Sequence, residues 1–239
     1  MNHAPLLPEE FKAYSSFSTC VVASAIETFG VRLPNVGFTD SSVHCIFPEF
    51  APIVGYATTA RMRSSNPPME GGSYYDRTDW WNQLLTVLEP RVVVIEDVDE
   101  PAGLGAFVGE VHANILRALG CVAVVTNGAV RDLEAVRQSG FQMFAGNVSV
   151  SHAYAHIFEF GGKVTVGNVE VHPGDLIHGD RHGVQTIPLA IAAAVPQIAQ
   201  EIVAKRAKLT EFCRSKHFSL EQLRAEVKSI EFRPGPKRK

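Results

Sequence analysis

Apolar residues run unbroken after Arg91 in RVVVI, Arg91 to Ile95, and again in CVAVV, Cys121 to Val125. Short runs rich in β-branched residues predict strands buried on both faces. Between them, EVHANILRAL (Glu110 to Leu119) carries its apolar residues three and four apart, which predicts a helix closed by Gly120. Leu133 to Gln138 predicts a further helical turn or two. Strand, helix, strand, helix in this order favours an α/β fold with partly parallel pairing.

The flanks read differently. Residues 9 to 30 predict a helix, with Ser18 or Thr19 as a cap before VVASAIETFG and Gly30 as its end. IVGYATTARM, Ile53 to Met62, predicts a strand, SSNPPMEGG a loop, and TDWWNQLLTVLEP a short helix capped by Thr78 or Asp79. After Phe141 the pattern alternates. SVSHAYAHIFEF puts Val150, His152, Tyr154, His156 and Phe158 on one strand face, and short strands follow, separated by turns at Gly167-Asn168, Pro173-Gly174-Asp175 and Gly179-Asp180. The C-terminal half is therefore expected to be antiparallel β. Pro188 starts a long helix, interrupted at Pro196, through about Leu209, and Ser219 with Gln222 forms a capping box for a second. RPGPKRK closes the chain as a solvated basic tail. No internal repeat or linker calls for a second domain, so residues 1 to 239 are expected to form one.

Composition narrows the function classes. The 239 residues are 46% hydrophobic and 20% charged, as in ordinary globular proteins. Lys and Arg total 22 against 25 acidic residues, a net charge of -3, which disfavours nucleic acid and anionic membranes as partners. Cys20, Cys45, Cys121 and Cys213 form no CxxC pair and suggest reduced thiols. The N-terminus lacks a signal pattern, and Leu189 to Ala199 is too short to span a bilayer, so a cytoplasmic location is expected.

Several motifs invite chemistry. His152 and His156, in HAYAH, lie about 13 Å apart along a strand, too far to share one ion, which favours structural roles. The same holds for His178 and His182 around an expected turn. Gly103, Gly105 and Gly109 are spaced GxGxxxG and stand too far from the preceding strand for a dinucleotide fingerprint.

NGAVRD, Asn127 to Asp132, is more informative. A helix from Glu110 runs about 15 Å out, the chain turns at Gly120, and the strand from Cys121 runs a similar distance back. Arg131 and Asp132 should therefore return to Gly109-Glu110. There the N–H groups of Val111 and His112 lack intrahelical partners and form an anion site, which Arg131 can clamp bidentately. Two carboxylates beside a bound anion repel unless a cation intervenes, and a largely hydrated Mg2+ or Mn2+ fits. Such a site suits a 2-oxo acid, whose developing enolate charge Arg131 and the ion would stabilise. A plainer alternative has Arg131 and Asp132 only capping the helix near Leu133.

Gly109-Glu110, Gly120, NGAVRD, then Pro173-Gly174-Asp175-Leu176 and Gly179-Asp180-Arg-His-Gly183-Val184 through Ile187-Pro188 resemble the RraA-like family over about residues 18 to 230. Its acid-x20-Arg-Asp pattern is met here, with Glu110 where many members have Asp. The family includes divalent-metal-dependent 4-hydroxy-4-methyl-2-oxoglutarate/4-carboxy-4-hydroxy-2-oxoadipate aldolases and the regulator of RNase E activity. The resemblance implies a swivelling ββα-type α/β fold, a mixed sheet with flanking helices, and a homotrimer or hexamer with interfacial active sites. It also implies roles: Asp132 as metal ligand, Glu110 acting through metal-bound water, Arg131 on the pyruvyl oxygens, and Gly109, Val111 and His112 around the substrate carboxylate. Ser24 and Asn127 stand where relatives often have Asp, and DRTDWWNQL replaces a glycine-rich segment.

The expected function is a class II pyruvate-type lyase acting on a small 2-oxo acid, by aldol cleavage or oxaloacetate decarboxylation, through a pyruvate enolate. Two alternatives accompany it: a non-catalytic regulator of an RNase E-like partner, and a lyase for a sugar-derived 2-oxo acid whose pocket Ser64 to Leu88 would line.

Overall fold

A computed structural model describes residues 5–68 and 77–230. The expected basic tail and the Met69 to Gly72 part of the expected loop lie outside these residues. The described chain opens with α1 (Pro8–Tyr14), α2 (Thr19–Thr28), β1 (His44–Cys45), β2 (Ile53–Arg63) and α3 (Arg77–Leu84). Its middle holds β3 (Arg91–Asp97), β4 (Ala106–Val108), α4 (Glu110–Ala118), β5 (Cys121–Thr126), β6 (Ala129–Val130), α5 (Leu133–Ser139), β7 (Gln142–Ala145) and β8 (Asn147–Val148). The rest comprises β9 (His156–Phe160), β10 (Val164–Val166), β11 (Val169–Val171), β12 (Leu176–Asp180), β13 (Gly183–Ile187), α6 (Val195–Arg214) and α7 (Leu220–Ile230).

The main sheet runs β1-β7-β5-β3-β2-β12-β13. Strands β2, β3, β5 and β7 are parallel, while β9, β12 and β13 add antiparallel strands. Strand β2 is long enough for two partners on one edge, β12 against residues 53–56 and β9 against residues 60–63. The α/β reading and the antiparallel C-terminal half hold.

Burial on both faces explains the unbroken apolar runs. Val93 and Ile95 of β3 face a core with Leu84, Leu116, Val136 and Phe141, which come from the helices and the loop after α5. Val92 and Val94 point the other way, onto Val164, Val166, Val169 and Val171 of the β10-β11 hairpin. A third core joins Val22 and Ile26 of α2 to Val195, Ala199 and Ile202 of α6 over Val54 and Leu176.

A repeat invisible in the sequence positions the site. Each of β3, β5 and β7 is followed by a short strand, β4, β6 and β8, and the short strands pair in parallel as a second sheet, β4-β6-β8. Helices α4 and α5 then begin directly after β4 and β6. Gly109-Glu110 and Arg131-Asp132 thus occupy matching places in consecutive strand-strand-helix units, at the C-terminal ends of parallel strands, where α/β folds place ligands.

Four local expectations need correction. The helix expected over residues 9 to 30 is two helices, because Ser18 caps α2 through Val21 N–H. Thr78 and Asp79 lie inside α3 rather than capping it. Gly179-Asp180 belong to β12, and the tight turn is Arg181-His182, between the paired Asp180 and Gly183. Pro196 does not interrupt a helix begun at Pro188; it lies in the first turn of α6, where its missing N–H costs nothing.

Candidate active site

The short sheet sets the register. Arg131 N–H donates to Val108 O at 3.1 Å, laying the Arg131-Asp132 turn against Gly109-Glu110. Asp132 adopts a left-handed backbone (φ 56°) and directly precedes α5, yet its side chain makes no capping bond there. Its Oδ2 instead accepts the Glu110 N–H at the start of α4, at 3.1 Å, and lies 3.3 Å from Arg131 Nε. The plainer alternative, in which Asp132 caps its own helix, is not what forms.

Gly109 makes this contact possible. A Cβ there would sit on Asp132 Oδ2 and 2.9 Å from Arg131 Cγ. Gly128 likewise serves close approach, since a Cβ would lie 3.1 Å from Asp97 Cβ.

Asn127, just before, closes the ends of β3 and β5. Its Oδ1 accepts Asp97 N–H and its Nδ2 donates to Asp97 O, each at 2.8 Å. The Asp97 carboxyl is buried, which raises its pKa, while N–H donation from Gly103 and Asp99 opposes the rise. Gly103, of the GxGxxxG run, is spent on this bond rather than on a phosphate cradle.

Arg131 and Asp132 open onto a cleft of about 430 Å³, with side chains 34% and 38% exposed, so both are accessible to a ligand. Gly109, Val111 and His112 line it together with His152, Tyr154, His156 and Pro68. Val111 is 69% exposed, and among the described residues its N–H has no partner. The His112 ring stacks on Phe107 at 4.7 Å, and Trp80 of α3 meets Phe107 edge-on. Trp80 therefore packs against Phe107, which lines the cleft.

The donor set fits a hard, largely hydrated cation. Asp132 commits Oδ2 to the helix start, and Oδ1 has no protein partner among the described residues. Glu110 is exposed at the same point, and no described group of three or more His, Cys, Asp or Glu surrounds it. One free carboxylate oxygen beside the helix start, with Glu110 exposed next along the chain from Gly109, would suit Mg2+ or Mn2+ that keeps most of its water.

Other candidates fall elsewhere. Ser24 accepts from Arg206 of α6, a helix-helix contact. His178 is fully buried between Thr19 Oγ1 and Tyr14 O, and burial pushes its pKa down to about 4, as expected of a structural histidine. His152 and His156 were expected on one strand face with structural roles. Ala153, at φ 46°, breaks that strand, leaving His152 exposed in a loop and His156 half-buried at the start of β9. Alternation in HAYAH concealed this, and its only sequence signal is two histidines in an otherwise apolar and small-residue segment.

Residues 19–185 match the model of a family described as RraA-like, Aldolase/RraA. Over 84 residues the chain is 32% identical to a protein of Halalkalibacterium halodurans provisionally named 4-hydroxy-4-methyl-2-oxoglutarate aldolase, covering 35% of this chain and 40% of that one. The chain thus spans less than half the length of this relative. A solved structure of an uncharacterised Pseudomonas syringae protein superposes with a TM-score of 0.71 at 19% identity, over 94% of this chain and 97% of that one. The Streptomyces coelicolor RraAS2 structure, titled an unusual member of the RNase ES inhibitor RraA family, gives 0.65 at 17% identity, over 88% and 98%. At these identities the structures speak for the fold, and the family match covers most of the chain. The chain belongs to the RraA-like family.

Proposed function

We propose that the cleft is the active site of a class II pyruvate-type lyase cleaving a small 2-oxo acid. One observation carries this: Arg131, Asp132 and the start of α4 converge on one rim, joining a cation, a carboxylate and outward N–H groups. The provisional aldolase name of the Halalkalibacterium relative supports the substrate class. The family also contains non-catalytic regulators of RNase E, and turnover separates the two readings.

Arg131 would bind the pyruvyl oxygens and neutralise charge as an enolate develops. The N–H of Val111, with that of His112 beside it, would orient the substrate carboxylate at the positive end of α4. Asp132, with Glu110 through water, would hold Mg2+ or Mn2+, which supplies Lewis-acid polarisation when bound. Asp132 also keeps Arg131 Nε aimed at the rim.

A homo-oligomer, trimer or hexamer, completes the proposal. Strand β8 ends the short sheet, and Val148, Val150, Leu104 and Tyr154 nearby are exposed apolar residues that association would cover. No described helix is long and apolar enough to cross a membrane, and the proposed setting is cytoplasmic. The test is pyruvate release from 4-hydroxy-4-methyl-2-oxoglutarate and from oxaloacetate with Mg2+ or EDTA. Metal-dependent release supports the lyase; inertness toward both favours the regulator or another 2-oxo acid.

A further inference from the structure

Resting on the lyase reading, we infer that His156 is the proton acceptor for aldol cleavage. Its Nδ1 lies 2.7 Å from Tyr154 O. A carbonyl oxygen only accepts, so Nδ1 carries the proton and Nε2 holds a lone pair in the neutral ring. Among the described residues Nε2 has no protein partner, and His156 lines the same cleft as Arg131 and Asp132. A carbonyl-fixed imidazole with its second nitrogen bare is the arrangement of a poised general base.

The scaffold supports this role. His156 pairs with Arg63 across the β2-β9 ladder, so a strand rather than a loop sets its position. His152 makes a similar bond, Nδ1 to Ala153 O at 3.0 Å, but is exposed in the loop before β9. Among the described residues the charged and titratable groups near His156 include Arg63, its ladder partner, which lies over Phe158, and on the same cleft Arg131, Asp132, His112, His152 and Tyr154.

In the step, a 4-hydroxy-2-oxo acid gives its C4 hydroxyl proton to Nε2. The O–H pair becomes the C4 carbonyl bond, and the C3–C4 pair moves onto C3 and the C2 oxygen as an enolate. The imidazolium gives its proton to water and the enolate takes one from water at C3, as it does after decarboxylation, giving pyruvate and a second carbonyl compound with the enzyme unchanged. Oxaloacetate decarboxylation forms the same enolate by losing carbon dioxide, with no hydroxyl proton to remove.

This difference supplies the test. His156→Gln should lower kcat/KM for 4-hydroxy-4-methyl-2-oxoglutarate cleavage about 100-fold or more while oxaloacetate decarboxylation stays within about threefold. Retained decarboxylation reports an intact fold and an intact Arg131-Asp132 site. Equal loss of both activities, or unchanged cleavage, overturns the assignment. Wild-type protein that decarboxylates oxaloacetate but cleaves no hydroxy acid overturns it while sparing the lyase site; inertness toward both removes the lyase reading itself.

Discussion

Asp132 Oδ2 accepts the N–H of Glu110 at 3.1 Å, and the two residues hold matching places in consecutive strand-strand-helix units. One carboxylate thereby caps the neighbouring unit's helix, orients Arg131 and leaves its second oxygen to the cleft. Asp132 reaches this position through a left-handed backbone, which costs a non-glycine residue about 1 kcal/mol. Replacement by Gly relieves that cost and forfeits a cap of similar size. For Asp132→Gly the melting temperature should move by no more than about 4 °C while turnover is lost. A drop above about 8 °C would mark the carboxylate as structural.

Gly109→Ala should damage activity more than stability. Gly109 has an extended backbone (φ -136°) that alanine also adopts, so the harm is local: the new methyl displaces Asp132 Oδ2 and Arg131 Cγ. Misplacing these groups by about 1 Å should cost about 100-fold in kcat/KM. Steady-state kinetics beside a thermal melt reads both quantities.

Asn127→Asp tests the amide that joins β3 to β5. A carboxylate cannot donate to Asp97 O and brings a second acid beside the buried Asp97. Urea unfolding should show about 1 to 3 kcal/mol of destabilisation at neutral pH, less in acid, where the added carboxyl is neutral. Unchanged stability would mean that water replaces the amide.

His178 should govern the first stage of acid destabilisation. Its folded pKa of about 4 lies below the ordinary 6.5, so the unfolded chain takes up this proton first as pH falls. Stability is full above about pH 6.5 and declines toward pH 4, by on the order of 3 kcal/mol. Asp180, whose pKa is lowered by donors from His182 and Thr19 against the effect of burial, loses its contribution only at lower pH. Unfolding free energies across pH 4 to 7 for wild type and His178→Gln should diverge in slope within that window; parallel curves would contradict it.

Much of this was legible beforehand because apolar runs and Gly120 fixed the out-and-back path from Glu110 to Arg131. That Asp132 caps α4 rather than α5 was not, since the choice depends on pairing between β4 and β6, strands too short to leave a periodic signal. The repeat stayed hidden for the same reason. The single strand that alternation predicts through His152 and His156 begins only at His156, because Ala153 turns the chain. Pro196 misled because proline stops a helix interior but suits a first turn.

The most direct test of the account is pyruvate release from 4-hydroxy-4-methyl-2-oxoglutarate and oxaloacetate, with Mg2+ or EDTA, by wild type, Arg131→Ala and Asp132→Ala. Metal-dependent release by wild type that falls at least about 100-fold in both variants is the expected result. Release that persists in both variants would contradict the account, because the chemistry would then reside outside the rim where Arg131 and Asp132 meet α4.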